Sequence, residues 1–128
     1  MTTRLEEWRP VVGHEGWYEV SDHGRVRRVR PATATRIGYI LNPYVWHGYR
    51  YVRLQQDGVK YVCRVHRLVL AAFCGPCPPQ HEANHKNGNK ADNRPDNLEW
   101  ITRSENMIHA WAIGLQTYNG KRKEEAER

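Results

Sequence analysis

Between positions 84 and 106 the chain sets one histidine among six asparagines, three of them spaced for chemistry: Asn84 beside His85, Asn97 twelve residues past the histidine, and Asn106 nine further. An imidazole titrates close to neutral pH and so can take or give a proton. A side-chain amide offers a neutral oxygen that accepts hydrogen bonds or meets a hard cation. These residues act together only if the chain folds them onto one point, and the surrounding sequence supplies a way. The segment His66–His109 lays out a strand, a polar loop, a second strand and a helix. Asn84-His85 stands at the mouth of the loop, and Asn97 just before the second strand, Leu98–Thr102. Thr102-Arg103-Ser104-Glu105 is a T-x-x-E capping box, starting a helix predicted to run to about Ile113 with Gly114 as its stop. In a compact β-β-α unit the end of the first strand lies beside the start of the helix, so Asn84, His85 and Asn106 converge. Asn97 serves as a turn former that braces the loop. Asn87, Gly88, Asn89 and Asn93 read as backbone-turn residues rather than ligands.

Upstream elements follow from pattern. His66–Phe73 (HRLVLAAF) has helical composition and is stopped by Gly75 and Pro76. Before it comes the clearest β signal, Tyr49–Gln55 and Val59–Val65 around a Gln56-Asp57-Gly58 turn, half buried with Val52 and Leu54 on one face. Residues 8–30 predict a short hairpin, with Trp17 and Tyr18 read as core rather than as stacking groups for bases. Residues 31–48 read as irregular.

The chain has 128 residues, 39% of them hydrophobic, enough for one compact domain or two small packed modules. It has no apolar run long enough to span a membrane, and its opening MTTRLEEWRP lacks the features of a secretory signal, so a cytoplasmic protein is expected. Three cysteines leave an odd thiol, which argues for reduced thiols. Cys74-x-x-Cys77 with Cys63 or His81 could staple a zinc ion, but a second C-x-x-C is absent and prolines crowd the segment, so structural zinc is disfavoured. Net charge is +6 and strongly asymmetric. Residues 25–67 hold ten basic side chains against Asp57 alone, and nine of the ten are arginine. A single-sign stretch of that density points to a polyanion, with Arg25, Arg27, Arg28, Arg50, Arg53, Arg64 and Arg67 as candidate phosphate contacts.

Four stretches together carry a resemblance: V-H-R-L-V-x-x-A-F over Val65–Phe73, N-H-K-N-G-N-K over Asn84–Lys90, N-L-E-W-I-T over Asn97–Thr102, and Glu105-Asn106. They resemble the HNH endonucleases of phages and group I introns. The N-terminal EEWRPVVGHEGWYEVSDHGRVRRV is similar to the nuclease-associated module that commonly precedes that domain. The resemblance implies an α+β fold: a small antiparallel β module over residues 1–58, a ββα-metal nuclease domain over 59–114, and a charged tail over 115–128. It implies a metal-dependent DNA endonuclease, phage or mobile-element encoded and acting in the host cytoplasm, with His85, Asn97 and Asn106 as the catalytic triad. His85 would activate a water against the scissile phosphate. One divalent ion, Mg²⁺ or Mn²⁺, would bind through Asn84 and Asn106, and the products would carry 5′-phosphate and 3′-hydroxyl ends.

Many relatives have Asp at the first metal position and His at the second, so two neutral amides imply weak metal affinity, completed by the DNA phosphate itself. Lys86 and Lys90 in the loop would steer that phosphate. His66 would face a phosphate or cap its helix, and His109, one turn past Asn106, would add a metal or phosphate contact. The expected partner is double-stranded DNA, with a homodimer or another phage protein for targeting. The rival reading is a non-catalytic DNA-binding module derived from such a nuclease, against which the intact triad speaks; a zinc-stapled interaction protein is a third.

Overall fold

In the computed structural model, which describes residues 5–30 and 37–112, three small antiparallel sheets surround one helix while a second helix closes the C-terminal side. The first sheet has the order β1 (Trp8–Pro10), β2 (Tyr18–Ser21), β3 (Val26–Arg28). The β2–β3 pair is the predicted hairpin. The edge strand β1 was not predicted, because three residues ending in proline give no alternation to read.

The second sheet contains β4 (Tyr44–Trp46), β5 (Tyr49–Gln56) and β6 (Val59–Arg64). Asp57 and Gly58 both adopt positive φ (53° and 78°), the conformation a two-residue hairpin turn demands. β4 lies in a stretch whose sequence reads as irregular. It is held by the Tyr44–Tyr51 cross-strand pair, whose rings stack 5.4 Å apart.

Helix α1 (Val65–Phe73) buries Val65, Val69 and Leu70 and packs against all three sheets. One apolar cluster joins Val11, Val20 and Val26 of the first sheet, Val52 and Leu54 of β5, the α1 residues, and Leu98. The β5–β6 hairpin straddles positions 58 and 59, and the core draws on residues to both sides.

The third sheet pairs β7 (His81–His85) with β8 (Leu98–Thr102), joined by a polar loop and a 3₁₀ turn at Pro95–Asn97. α2 (Arg103–Ala112) begins immediately after β8. Its capping box forms as predicted: the Glu105 amide donates to Thr102 Oγ1 at 3.1 Å, and the Thr102 amide donates to Glu105 Oε1 at 2.9 Å. The predicted stop at Ile113-Gly114 and the tail 115–128 lie outside the described residues. No helix among the described residues is long and apolar enough to cross a membrane.

Because α1 lies under every sheet, Leu70→Ala should destabilise the whole assembly rather than one part of it. The expected loss is about 2–5 kcal/mol, read as a lower denaturant midpoint in a single transition whether followed by tryptophan fluorescence or by far-ultraviolet dichroism.

Candidate active site

The end of β7 and the first turn of α2 lie side by side, as the β-β-α reading requires. They enclose a cavity of about 180 Å³ whose lining includes Tyr49, Asn84, His85, Lys90 and Asn106.

His85 is 5% exposed, and its Nε2 lies 2.6 Å from Asn93 Oδ1. An amide oxygen only accepts, so Nε2 carries the proton and Nδ1 is the ring nitrogen with a free lone pair. The ring lies flat on His66, with centroids 4.9 Å apart and planes 12° from parallel, and His66 lies in turn on Tyr49 at 5.2 Å. Burial pushes the His85 pKa down, against smaller upward effects of the Asn93 hydrogen bond and the Asp92 charge. His66 is pushed down to about 3, first by burial and then by the charges of His85, Arg64 and Arg67. His66 therefore forms part of the buried stack instead of facing a phosphate from the surface.

The two candidate metal-holding amides are each oriented by a carboxylate. Asn84 Nδ2 donates to Glu99 Oε2 at 2.8 Å, and Asn106 Nδ2 donates to Glu82 Oε1. With both nitrogens committed, the two Oδ1 atoms are the groups left to accept or to coordinate, a donor set that suits a hard divalent ion. Among the described residues no group of three or more His, Cys, Asp or Glu side chains could hold a metal, and the Cys74 and Cys77 thiols are free and exposed. Glu82 and Glu99 escape the sequence reading, although strand alternation puts Glu82 on the face of Asn84 and the β7–β8 register sets Glu99 opposite it.

Asn97 braces the loop at both edges. Its Nδ2 donates to Asn87 Oδ1 at 3.0 Å and to the Asp92 carbonyl at 2.9 Å, while its Oδ1 accepts from the Asn87 amide at 3.1 Å. Asn93, read from sequence as a turn residue, is instead the buried hydrogen-bond partner of His85. His109 Nε2 donates to the Lys86 carbonyl at 2.7 Å, tying α2 to the loop one residue past His85. Lys90 Nζ reaches the His47 carbonyl at 3.1 Å and sits 4.4 Å over the Tyr49 ring, whereas Lys86 is exposed.

The arginines divide into two groups. Arg25 pairs with Glu6, and Arg27 pairs with Glu19 at 2.6 Å while lying over the Trp8 ring. Arg28 is buried and donates to Tyr18 Oη at 2.7 Å. Arg28 thus corrects the sequence reading: its guanidinium is satisfied inside the first sheet, because a buried cation requires partners there. Arg53, Arg64 and Arg67 are exposed, and with Arg50 they have no carboxylate partner among the described residues. Arg53 lies over Tyr44, Arg64 near Tyr51 and Arg67 near Trp100, and Arg64 and Arg67 flank a hollow of about 500 Å³.

Residues 63–108 match the HNH endonuclease family, and residues 6–55 match the NUMOD4 motif. The chain carries an HNH endonuclease domain behind a NUMOD4 motif. It is 32% identical over 108 residues to the DNA endonuclease I-HmuI of Bacillus phage SP01, covering 84% of this chain and 59% of that protein. A solved I-HmuI structure, described as DNA binding and cleavage by the HNH homing endonuclease, superposes with a TM-score of 0.75 over 88% of this chain and 61% of that one. An uncharacterized HNH endonuclease, L245, of Acanthamoeba polyphaga mimivirus is 33% identical over 88% of this chain and 32% of its own length. The chain thus spans less than two thirds of these relatives. HNH endonucleases generally use a divalent metal.

The stack inside the HNH domain has a consequence for stability. His66 binds its proton with a pKa of about 3 when folded and near the ordinary 6.5 when unfolded. The unfolded chain therefore holds more protons between those values, so stability is complete above about pH 6.5 and falls as pH drops toward 3. In urea unfolding across that window, His66→Phe should lose less stability on acidification than the native chain. Parallel curves would mean that His66 is not held neutral.

Proposed function

We propose that this chain hydrolyses DNA phosphodiester bonds, with His85 Nδ1 as the general base. The observation that supports this most directly is the Asn93 hydrogen bond to Nε2, which leaves the other ring nitrogen unprotonated beside a cavity bordered by two oriented amides. Nδ1 takes a proton from a water whose oxygen attacks phosphorus in line. The bond to the 3′ oxygen breaks, leaving a 3′-hydroxyl and a 5′-phosphate.

Asn84 and Asn106 would hold one Mg²⁺ or Mn²⁺ through their Oδ1 atoms, and the ion would supply charge neutralisation at the reacting phosphate and the leaving oxygen. Neither amide brings a formal charge, so metal affinity would be low without DNA, and a phosphate oxygen would have to supply the missing charge. Lys86, exposed in the loop, and Lys90 at the cavity approach the scissile phosphate. Double-stranded DNA lies against Arg50, Arg53, Arg64 and Arg67, whose contacts position the duplex without reading its sequence. Arg25 and Arg27 contribute less, since each must first leave a carboxylate.

Supercoiled plasmid incubated with the protein and Mg²⁺ or Mn²⁺ should become nicked or linear. EDTA or His85→Ala should abolish the reaction. Undiminished cleavage by the variant would remove His85 from the chemistry, and binding without cleavage under either metal would make the chain a DNA-binding module.

For the basic face, the pair Arg53→Ala and Arg67→Ala should weaken DNA binding. The slope of log K against log salt should flatten by roughly 0.9 for each phosphate contact removed. An unchanged slope would place the duplex on another surface.

A further inference from the structure

The turn between β2 and β3 belongs to the NUMOD4 motif, yet it touches the residue that holds His85. Gly24 sits at φ +79°, and a Cβ built on it would lie 2.8 Å from Asn93 Cβ and 3.4 Å from the Asn93 carbonyl oxygen. Carbon atoms do not approach that closely, and neither partner is a flexible side-chain end. The turn cannot move aside without cost, because Ser21 is fully buried and its Oγ accepts from the His23 and Arg25 amides at 3.1 and 3.2 Å. The Gly24 amide also donates to the Ser21 carbonyl at 3.0 Å. Asn93 in turn is 5% exposed, and its Oδ1 is the partner of His85 Nε2.

We infer that Gly24 is a positioning residue for the HNH site: the bare backbone of a rigid NUMOD4 turn sets where Asn93 stands, and Asn93 sets the tautomer and orientation of His85. A second, softer contact joins the same module to the same loop. Lys90, three residues before Asn93 in the same loop, packs over Gly48, where a Cβ would meet its Cδ at 3.0 Å. The N-terminal module thus completes the catalytic loop from outside, beyond any part it plays in holding DNA. The inference rests on the reading of His85 as the base, so its test includes a measurement that needs no cleavage.

The decisive comparison is Gly24→Ala against Gly13→Ala. Gly13 has a similar φ of +90° but nothing within 4 Å of a built Cβ, so it carries the same backbone strain without the clash. In nitrogen-15 spectra of the histidine rings, the native chain and Gly13→Ala should both show His85 protonated at Nε2 with slow exchange of that proton. Gly24→Ala should show a mixture of tautomers or fast exchange. In cleavage, Gly24→Ala should lose kcat by about 10- to 100-fold with DNA affinity unchanged. Gly13→Ala should keep kcat.

The double variant Gly24→Ala with Asn93→Ala should cleave no more slowly than Asn93→Ala alone. Asn93→Asp, which keeps an accepting oxygen, should retain more activity than Asn93→Ala. A native ring signal and native kcat in Gly24→Ala, or equal losses in the two glycine variants, would overturn the inference. So would additive losses in the double variant. If the native chain cuts no DNA at all, the proposed function falls, and the ring spectra still decide the link.

Discussion

The hydrogen bond between His85 Nε2 and Asn93 Oδ1 fixes a choice that a buried imidazole cannot make alone, namely which nitrogen keeps the proton. Much of the surrounding structure limits how far that bond can wander. His66 lies flat beneath the ring and is itself anchored in α1, which the shared core holds in place. Asn97 closes the loop on itself, and His109 fastens it to α2. None of these contacts is strong individually. Their value is that each removes a direction in which the loop between the two strands could drift.

The charge pattern of the chain separates by partner rather than by position. Across 25–67 the sequence is almost uniformly basic, yet the arginines of β3 and its turn find Glu19 or Tyr18 within the first sheet or Glu6 just ahead of it. Arg53 of β5 and Arg67 of α1 meet aromatic rings instead, which leaves their charge unneutralised by protein. An aromatic face orients a guanidinium without cancelling its field, so these side chains can be held in place and still attract a polyanion. The site itself works differently, since its two amides are neutral and its carboxylates, Glu82 and Glu99, act on their nitrogens.

Local chemistry proved legible in the sequence, and distant contacts did not. The capping box at Thr102 and Glu105 and the Asp57-Gly58 turn are written in adjacent residues, and both form as read. The convergence of Asn84, His85 and Asn106 followed from the geometry of a β-β-α unit, which needs only element order. Strands β1 and β4 were missed because three residues are too few to show a period, and their pairing comes from neighbours. The Asn93–His85 bond and the Gly24 contact were invisible for another reason. Asn93 looks like any turn-forming asparagine until the fold buries it, and Gly24 looks like any hairpin glycine until Asn93 arrives beside it. Arg27 could have been paired with Glu19 from hairpin register, whereas nothing in the sequence joins Arg25 to Glu6.

Thr102 is at once the last residue of β8 and the cap of α2, so strand passes to helix with no residue in between. The nine-residue step from Asn97 to Asn106 is therefore mechanically stiff, whereas the twelve-residue step from His85 to Asn97 crosses a loop. One residue inserted into the stiff step would either slip the β7–β8 register or turn Asn106 about 100° around the helix axis, away from the cavity. A residue inserted between Asn89 and Ala91 would not rotate a helix, but it would have to break the turn bonds of Asn87 and Asn89 or shift Lys90 off the His47 carbonyl. The two spacings of the motif are thus unequal as rulers: one is kept by a continuous backbone joint, and the other by side-chain contacts across a loop.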